Sequence, residues 1–524
     1  PPTRGTFRLL IGCIATLSLC VYSALHLNVL PPAGRERQPG PKTKDNRLSF
    51  QPSLSTVFSS KAKWVLIGMF APEFVVYTAW SQWRSARKLT DLITSSPEAK
   101  DLEWTMTHSF FALMGGFAVD TDDPGEDEYI AGSPRLHLTA NGVAALAEIG
   151  LLPSISKDFI LDKSKADHFT KALVIMQAGW LVIECLGRAI GRLPVSQLEL
   201  NTIAHIACAF VTYSLWWHKP HDVHHPVVIA DEWKRPLVAA MAMFSKEGRG
   251  SPPEIEALLH YTNQSPPKSP ADLSGPLKIL HRRLRSKTSS EPQIVSPVTI
   301  FRLHEIFADS KPPIHLDIDP TTLTRWSLAC QSLSDHPALW SRFRSPSRST
   351  KRNDTSYLVH EYPESKLNVD FVCTAVPNWP GRDLLPHNQK YTPMAFFSAC
   401  VVFYGGAHTG AWNDYFPSEN ERLFWRIAAV YVAGSGFSWF ALRALQMELE
   451  GFHRKYIRGK TGQWVTRTPL GAVLVMVPLY VITALGCGYV AARVYLVVEA
   501  FISLRDVPAE LYLTPEWSRY LVHF

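Results

Sequence analysis

Apolar residues in this chain gather into long blocks and do not form stripes of helical or strand period. Seven blocks of about twenty residues stand out, at 9–30, 64–83, 172–190, 200–217, 391–412, 423–442 and 468–492. A helix of that length reaches across the roughly 30 Å hydrocarbon core of a bilayer. The last block, Thr468 to Ala492, carries no formal charge, and Trp64 and Trp83 close the two ends of the second, where an amphipathic ring suits the headgroup level. The pattern predicts an all-α fold, a polytopic transmembrane helix bundle with about seven crossings.

Between the blocks the chain is polar. Residues 84–171 include the acidic run TDDPGEDE at 121–128. Within them Trp104 to Val119 is apolar but short, which predicts a re-entrant or interfacial helix. N-terminal and C-terminal membrane regions, 1–217 and 391–524, flank an extramembrane region at 218–390. Its stretches 245–300 and 341–356 are rich in Ser, Pro, Lys and Arg and bury too little apolar area to offset their ordering entropy, so disorder is expected there. Apolar density recovers at VTIFRLHEIF, LTRWSLAC and LNVDFVCTAV, enough for a small ordered piece. The apolar character of the last block runs on to Leu504, and a straight helix from Pro469 would be about 50 Å long. One crossing to Ala492 and an interfacial extension are expected, with Gly486 and Gly488 as bend points.

Orientation carries a conflict. Lys and Arg accumulate on the cytoplasmic side, and both the connection after the first block and the segment 451–467 are basic. Seven crossings put them on opposite sides. An eighth between residues 84 and 390 reconciles them, with Trp104–Val119 and PLVAAMAMF from Pro236 as candidates. The sequons at Asn263 and Asn353 accept glycan only in a lumenal segment, and Pro266 makes the first a poor acceptor. Proline at position 1 fits a fragment or a processed chain, and a removed secretory signal upstream is the expectation.

Composition adds limits. The 39 prolines sit mostly outside the blocks, and the net charge of +7 is modest for 524 residues. Membrane lipid, rather than nucleic acid, is the partner that charge fits. The eight cysteines include no Cys-x-x-Cys pair. Six fall inside apolar blocks, where a thiol behaves as a small hydrophobe, which leaves Cys330 and Cys373 as the two placed for a disulfide.

Chemistry has few candidates. His218, His221, His224 and His225 follow the fourth block in HKPHDVHH, and His221 to His225 match the His-x-x-His-His box of membrane di-iron enzymes. Those enzymes need several such boxes, and this is the one present, so a solvated loop is the favoured reading and no cofactor is expected. Ionisable residues inside apolar blocks are functional candidates because hydrocarbon penalises them. Glu184 and Arg188 lie four apart and read as a mutually neutralising pair. Glu73, after Pro72, has no local partner, and His205 lies one turn after Asn201. Both read first as interhelical hydrogen bonders and second as lining of a polar cavity. Arg493 and Glu499 read as snorkelling to the interface. Gly434 and Gly436, like Gly486 and Gly488, permit close helix approach. The basic serine-rich segments 282–290 and 342–352 suit phosphorylation or acidic lipid.

The phrases PTRGTFRLLIGCIATLSLCVYSALHLNV, KWVLIGMFAPEFVVYTAWSQWRSAR, WTMTHSFFALMGGF, KADHFTKALVIMQAGWLVIECLGRAIGRLPVSQLELNTIAH, LWWHKP and ARVYLVVEAFISLR together resemble a family of uncharacterised multipass membrane proteins from filamentous and mushroom-forming fungi. The resemblance covers both ends and all seven blocks and leaves about 245–360 variable. It implies a fungal source, a membrane location and an upstream signal-like segment. It supplies no activity. LWWHKP matches at Trp216 to Pro220, whereas His221, His224 and His225 are not part of the pattern.

The expectation is an integral membrane protein of the secretory pathway or plasma membrane, non-enzymatic, with a transport-like or a sensing and scaffold role. The alternative is a membrane-bound metalloenzyme acting on a lipid or hydrophobic metabolite.

Overall fold

A computed structural model describes residues 4–29, 54–122, 127–130, 133–163, 168–223, 225–245, 320–336, 338–339, 370–381, 391–456 and 469–513. Helices dominate, and most apolar blocks appear as helices. The first is α1 (Thr6–Ala24). The second does not form one rod. It divides into α2 (Leu54–Phe70) and α3 (Pro72–Thr94), bent by 113° at Ala71. Pro72 lacks the N–H that would continue α2 and is pre-set for the first turn of α3. The expected single span over 64–83 is therefore corrected to an elbow.

α3 belongs to two neighbourhoods. Near its start it meets the other helices of the bundle, while Ala86, Leu89 and Ile93 join the larger hydrophobic core. That core is centred on a four-stranded sheet, which the all-α expectation did not include. α4 (Met106–Leu113), β1 (Phe117–Asp120), β2 (Arg135–Leu138), α5 (Ala140–Glu148) and α6 (Lys157–Asp162) follow α3. Trp104–Val119, expected as one re-entrant or interfacial helix, is instead a buried helix and strand joined at Gly115, whose φ of +84° suits glycine. Thr139 and Ser156 cap the starts of α5 and α6 by accepting from Gly142 N and Phe159 N.

α7 (His168–Ile190) and α8 (Gln197–Leu215) correspond to the third and fourth blocks. Ser196 and Glu199 form the capping box that starts α8: Glu199 N donates to Ser196 Oγ at 3.2 Å and Ser196 N donates to Glu199 Oε2 at 2.9 Å. The chain then returns to the sheet as β3 (Val227–Ile229), α9 (Lys234–Met243) and α10 (Pro320–Asp335), and later β4 (Val372–Cys373). The strand order is β3-β1-β2-β4, with β1 parallel to β3 and the other two pairings antiparallel. The PLVAAMAMF run is α9, buried from Leu237 to Met243, and at 10 residues it is too short to cross a bilayer.

α11 (Thr392–His408), α12 (Glu419–Tyr456) and α13 (Pro469–Ile502) complete the bundle. A Cβ on Gly436 would lie 2.7 Å from Ser398 O, and one on Gly405 would meet the Ala433 backbone, so glycine is what lets α11 and α12 touch. α13 runs without a break through Gly486 and Gly488. Gly488 serves contact there, its face filled by Tyr431. Arg493 and Glu499 are buried, at 3% and 4% exposure, and do not snorkel. Among the described residues five helices are long and apolar enough to cross a membrane, or six with the bent pair counted as one. α11, with 17 residues, corresponds to the remaining block.

Candidate functional site

At the elbow between α2 and α3 the chain leaves backbone carbonyls without helical partners. Side chains from distant helices take them. His205 Nε2 lies 2.9 Å from Met69 O, and Arg493 Nη2 donates to Phe70 O. Arg493 thus places a cation at the C-terminal end of α2, while Glu73 places an anion in the first turn of α3, each complementing its helix dipole. The two also pair, Arg493 Nη2 to Glu73 Oε2 at 3.3 Å, and Tyr489 OH donates to Glu73 Oε1. Glu73, which looked solitary in the sequence, is fully buried with both oxygens occupied.

The polar contacts continue into α8 and α11. The Arg493 guanidinium stacks 3.7 Å from the centroid of the Tyr404 ring. Tyr404 OH lies 3.0 Å from Asn201 Oδ1 and 3.3 Å from His205 Nδ1, and His408 Nε2 lies 3.2 Å from Asn201 Oδ1. Trp425 Nε1 donates to His408 O at 2.9 Å. His205 therefore belongs to an interhelical network, with its partner residues at i and i+4 on two facing helices. Arg493 Nε and Nη1 have no hydrogen-bond partner among the described residues.

Against this network lies a cavity of about 510 Å³ between α3, α11, α12 and α13. Its walls are mainly rings: Phe74, Tyr77, Phe397, Tyr431, Trp439 and Tyr489. Trp379 and Pro380 cover one side, in a segment that Asn378 ties to Gln82 and Asn28. Gly434 and Gly486 also line it, and a Cβ placed on either would meet nothing within 4 Å. Tyr489 is shared, with its ring on the cavity and its hydroxyl on Glu73.

Other sequence candidates fall elsewhere. Glu184 and Arg188 do not pair with each other. Glu184 bonds Arg4 at 3.1 Å, and Arg4 also forks onto Glu199 at 2.5 and 3.0 Å. Arg188 instead gathers carbonyls, donating to Pro194 O, Leu511 O and Leu513 O at 2.7 to 2.9 Å. Helix geometry permits an i, i+4 pair, but the carbonyls freed at the α7–α8 turn and in 511–513 claim the guanidinium first. His218 and His225 are exposed, and half-buried His221 lies 3.6 Å from Asp222 Oδ2; His224 is outside the described residues. Among the described residues no group of three or more His, Cys, Asp or Glu is placed to hold a metal ion. Asn263, Asn353 and the Cys330 side chain also lie outside the described residues, while Cys373 Sγ on β4 is 3.8 Å from His137 O.

Lys219, from the LWWHKP phrase, is a buried cation that sequence reading missed. Its Nζ donates to His26 O at 2.5 Å, Asn28 Oδ1 at 2.9 Å and Gln82 Oε1 at 2.8 Å, over the Trp216 ring. Burial among these neutral acceptors pushes the ammonium well below the usual lysine range. The signal available was the lysine itself, wedged between two aromatics and a proline. Tyr489 and Tyr404 carried no local signal, and Arg493 was visible as a charge but read as snorkelling.

These features define a helical bundle with a half-open apolar cavity and a buried ion-pair network, joined to a small sheet unit. The chain matches the family described as "Family of unknown function (DUF8562)" over residues 1–258 and 370–524, and it belongs to that family. No curated protein matches it, and no solved structure does.

Proposed function

We propose that this is a polytopic integral membrane protein that holds an apolar small molecule in the cavity between α3, α11, α12 and α13, in a transport-like or sensing role. An inversion of burial carries the membrane part of this reading. The most apolar of the span-length helices, Tyr480–Arg505, is also the least buried, at 11%. Ile190, Phe210, Phe437 and Tyr480 are each more than two-thirds exposed. Apolar faces of that extent need hydrocarbon or a partner against them, and lipid serves all of them at once. For the ligand, a 510 Å³ cavity with ring-lined walls falls in the range of small-molecule sites. A discontinuous helix whose ends face buried charges also recurs where membrane transporters bind substrate. The membranes of the secretory pathway or the plasma membrane are the proposed location.

The test begins with the full chain in membranes. Resistance to alkaline carbonate extraction is expected, and release into the supernatant would overturn the membrane reading. N-glycan on Asn353 would assign residues 218–390 to the lumen, and its absence from a glycosylation-competent host would assign them to the cytoplasm. For the cavity, organic extracts of purified protein are expected to contain an apolar molecule in near-stoichiometric amount, lost in Gly434→Leu and Gly486→Leu. Equal recovery from both variants would remove the cavity as the binding place.

A further inference from the structure

Two cations stand at one end of the cavity, and the packing of rings fixes which end. Phe397 of α11 lies 5.0 Å from Phe74 and 5.3 Å from both Tyr77 and Trp439, so walls from α3, α11 and α12 meet at one level. α12 runs antiparallel to α11, because Gly405 faces Ala433 whereas Gly436 faces Ser398. Arg443, one turn past Trp439 on α12, therefore lies toward the start of α11. Arg84 reaches the same end from α3. Its guanidinium lies 4.8 Å from the Trp80 ring, which stacks at 4.4 Å on Phe396 of α11. Arg443 is exposed and has no ion pair among the described residues.

The walls beyond that end make no polar demand. No charged side chain lines the cavity. Tyr431 OH donates to Leu485 O, Ser435 Oγ to Val432 O, Ser438 Oγ to Gly434 O and Tyr489 OH to Glu73. The lining runs from Pro393 to Val401 on α11 and from Gly434 to Leu442 on α12, about 12 Å along each helix. One side is open, beside the exposed apolar residues Phe437 and Tyr480. α3 passes from the cavity wall at Phe74 and Tyr77 into the sheet core at Ala86 and Leu89. Trp80 and Arg84 lie between, where a chain entering a bilayer places its aromatic rings and cations at the headgroup level.

We infer that the cavity holds an acyl chain of an anionic phospholipid, with the headgroup at the end marked by Arg84 and Arg443. This rests on the cavity reading above and names its occupant. The uncharged, internally satisfied walls suit a hydrocarbon chain, and Gly434 and Gly486 keep room for it. Guanidinium groups from two different helices suit a phosphate, whose oxygens accept from more than one side. The open side leaves the second chain of the same lipid in the bilayer.

Full chain is reconstituted in dioleoylphosphatidylcholine vesicles that carry a trace of one photoprobe, phosphatidylglycerol or phosphatidylcholine with the same diazirine-bearing chain. Labelling is read on the peptides holding wall residues Tyr431 to Leu442 and Ile482 to Tyr489. The phosphatidylglycerol probe is expected to label them about twentyfold more, since each basic residue near the membrane surface is worth about fivefold for an anionic lipid. Arg443→Gln, at an exposed position that folding tolerates, is expected to cut the excess to about fivefold. Adding Arg84→Gln should bring the two probes within about twofold of each other. Gly486→Leu is expected to abolish labelling by both. Equal labelling by the two probes in the wild type, an excess unchanged in Arg443→Gln, or displacement by cholesterol rather than by dioleoylphosphatidylglycerol would each overturn the anionic-phospholipid assignment. Wall labelling that persists in Gly486→Leu would instead overturn the cavity reading beneath it.

Discussion

Arg493 and Glu73 are 420 positions apart in the chain and meet at 3.3 Å in a fully buried ion pair at the α2–α3 elbow. The pair joins α13 to the break in the second apolar block, so it ties a C-terminal helix to the N-terminal ones. Removing one partner leaves the other charge buried and uncompensated, which costs about 3–5 kcal/mol. Glu73→Gln and Arg493→Met are each expected to lower the thermal midpoint in detergent strongly. The double variant should recover much of the loss, since neither charge is then stranded. A double variant no more stable than the worse single one would show that the two act separately.

Glycines at the α11–α12 contact give a second expectation. Gly405 and Gly436 have backbone where a side chain would go, whereas Gly434, on the same helix as Gly436, faces open space. Gly436→Ala is expected to destabilise by about 1–3 kcal/mol through overpacking. Gly434→Ala should be neutral or stabilise by up to about 1 kcal/mol, because alanine favours the helix. Thermal unfolding and size-exclusion profiles of the two variants, side by side, decide it.

The pairing at the elbow also explains which parts of the fold were legible in the sequence. α1, α7 and α8 fall close to their apolar blocks because each block is nearly free of charge. The sheet was not legible. Its strands are two to four residues long, too short for a period of two to register, and β2 pairs with β4 across 236 positions. Glu73 and His205 were picked out by the cost of a polar group in an apolar block, but their partners lie on other helices, where spacing along one helix says nothing. Glu184 and Arg188 show the reverse error: correct local spacing lost to stronger acceptors brought in by the C-terminal segment.

That segment supplies a third expectation. Arg188 and Arg4 both bond carbonyls in 511–513, and Arg4 N donates to Tyr512 O at 2.8 Å. Arg188→Gln removes most of these donors and leaves the carbonyls of Pro194 and Leu513 without a charged partner, while Leu511 O keeps Arg4 Nε. Faster amide exchange confined to residues 505–513, with the rest of the bundle unchanged, is the expected result. Hydrogen exchange read by mass spectrometry checks it, and uniform exchange across the chain would argue for a general loss of folding instead.

Lys219 gives the pH dependence. In the folded protein its ammonium is surrounded by neutral oxygens and lies well below the ordinary lysine range, whereas in the unfolded chain it titrates near the ordinary value of about 10.4. Between those two values the unfolded state binds the extra proton, so stability rises with pH through this window. Below the folded value both states are protonated and the contribution is constant. Above about 10.4 both are deprotonated and it is constant again. Lys219→Met removes the titrating group and should flatten this part of the profile. Thermal midpoints of the wild type and Lys219→Met, measured from about pH 7 to about pH 10, are therefore expected to converge or cross as pH rises, the wild type gaining on the variant. A wild type that loses ground to the variant over that range would mean that Lys219 is held more tightly as the cation when folded than when unfolded.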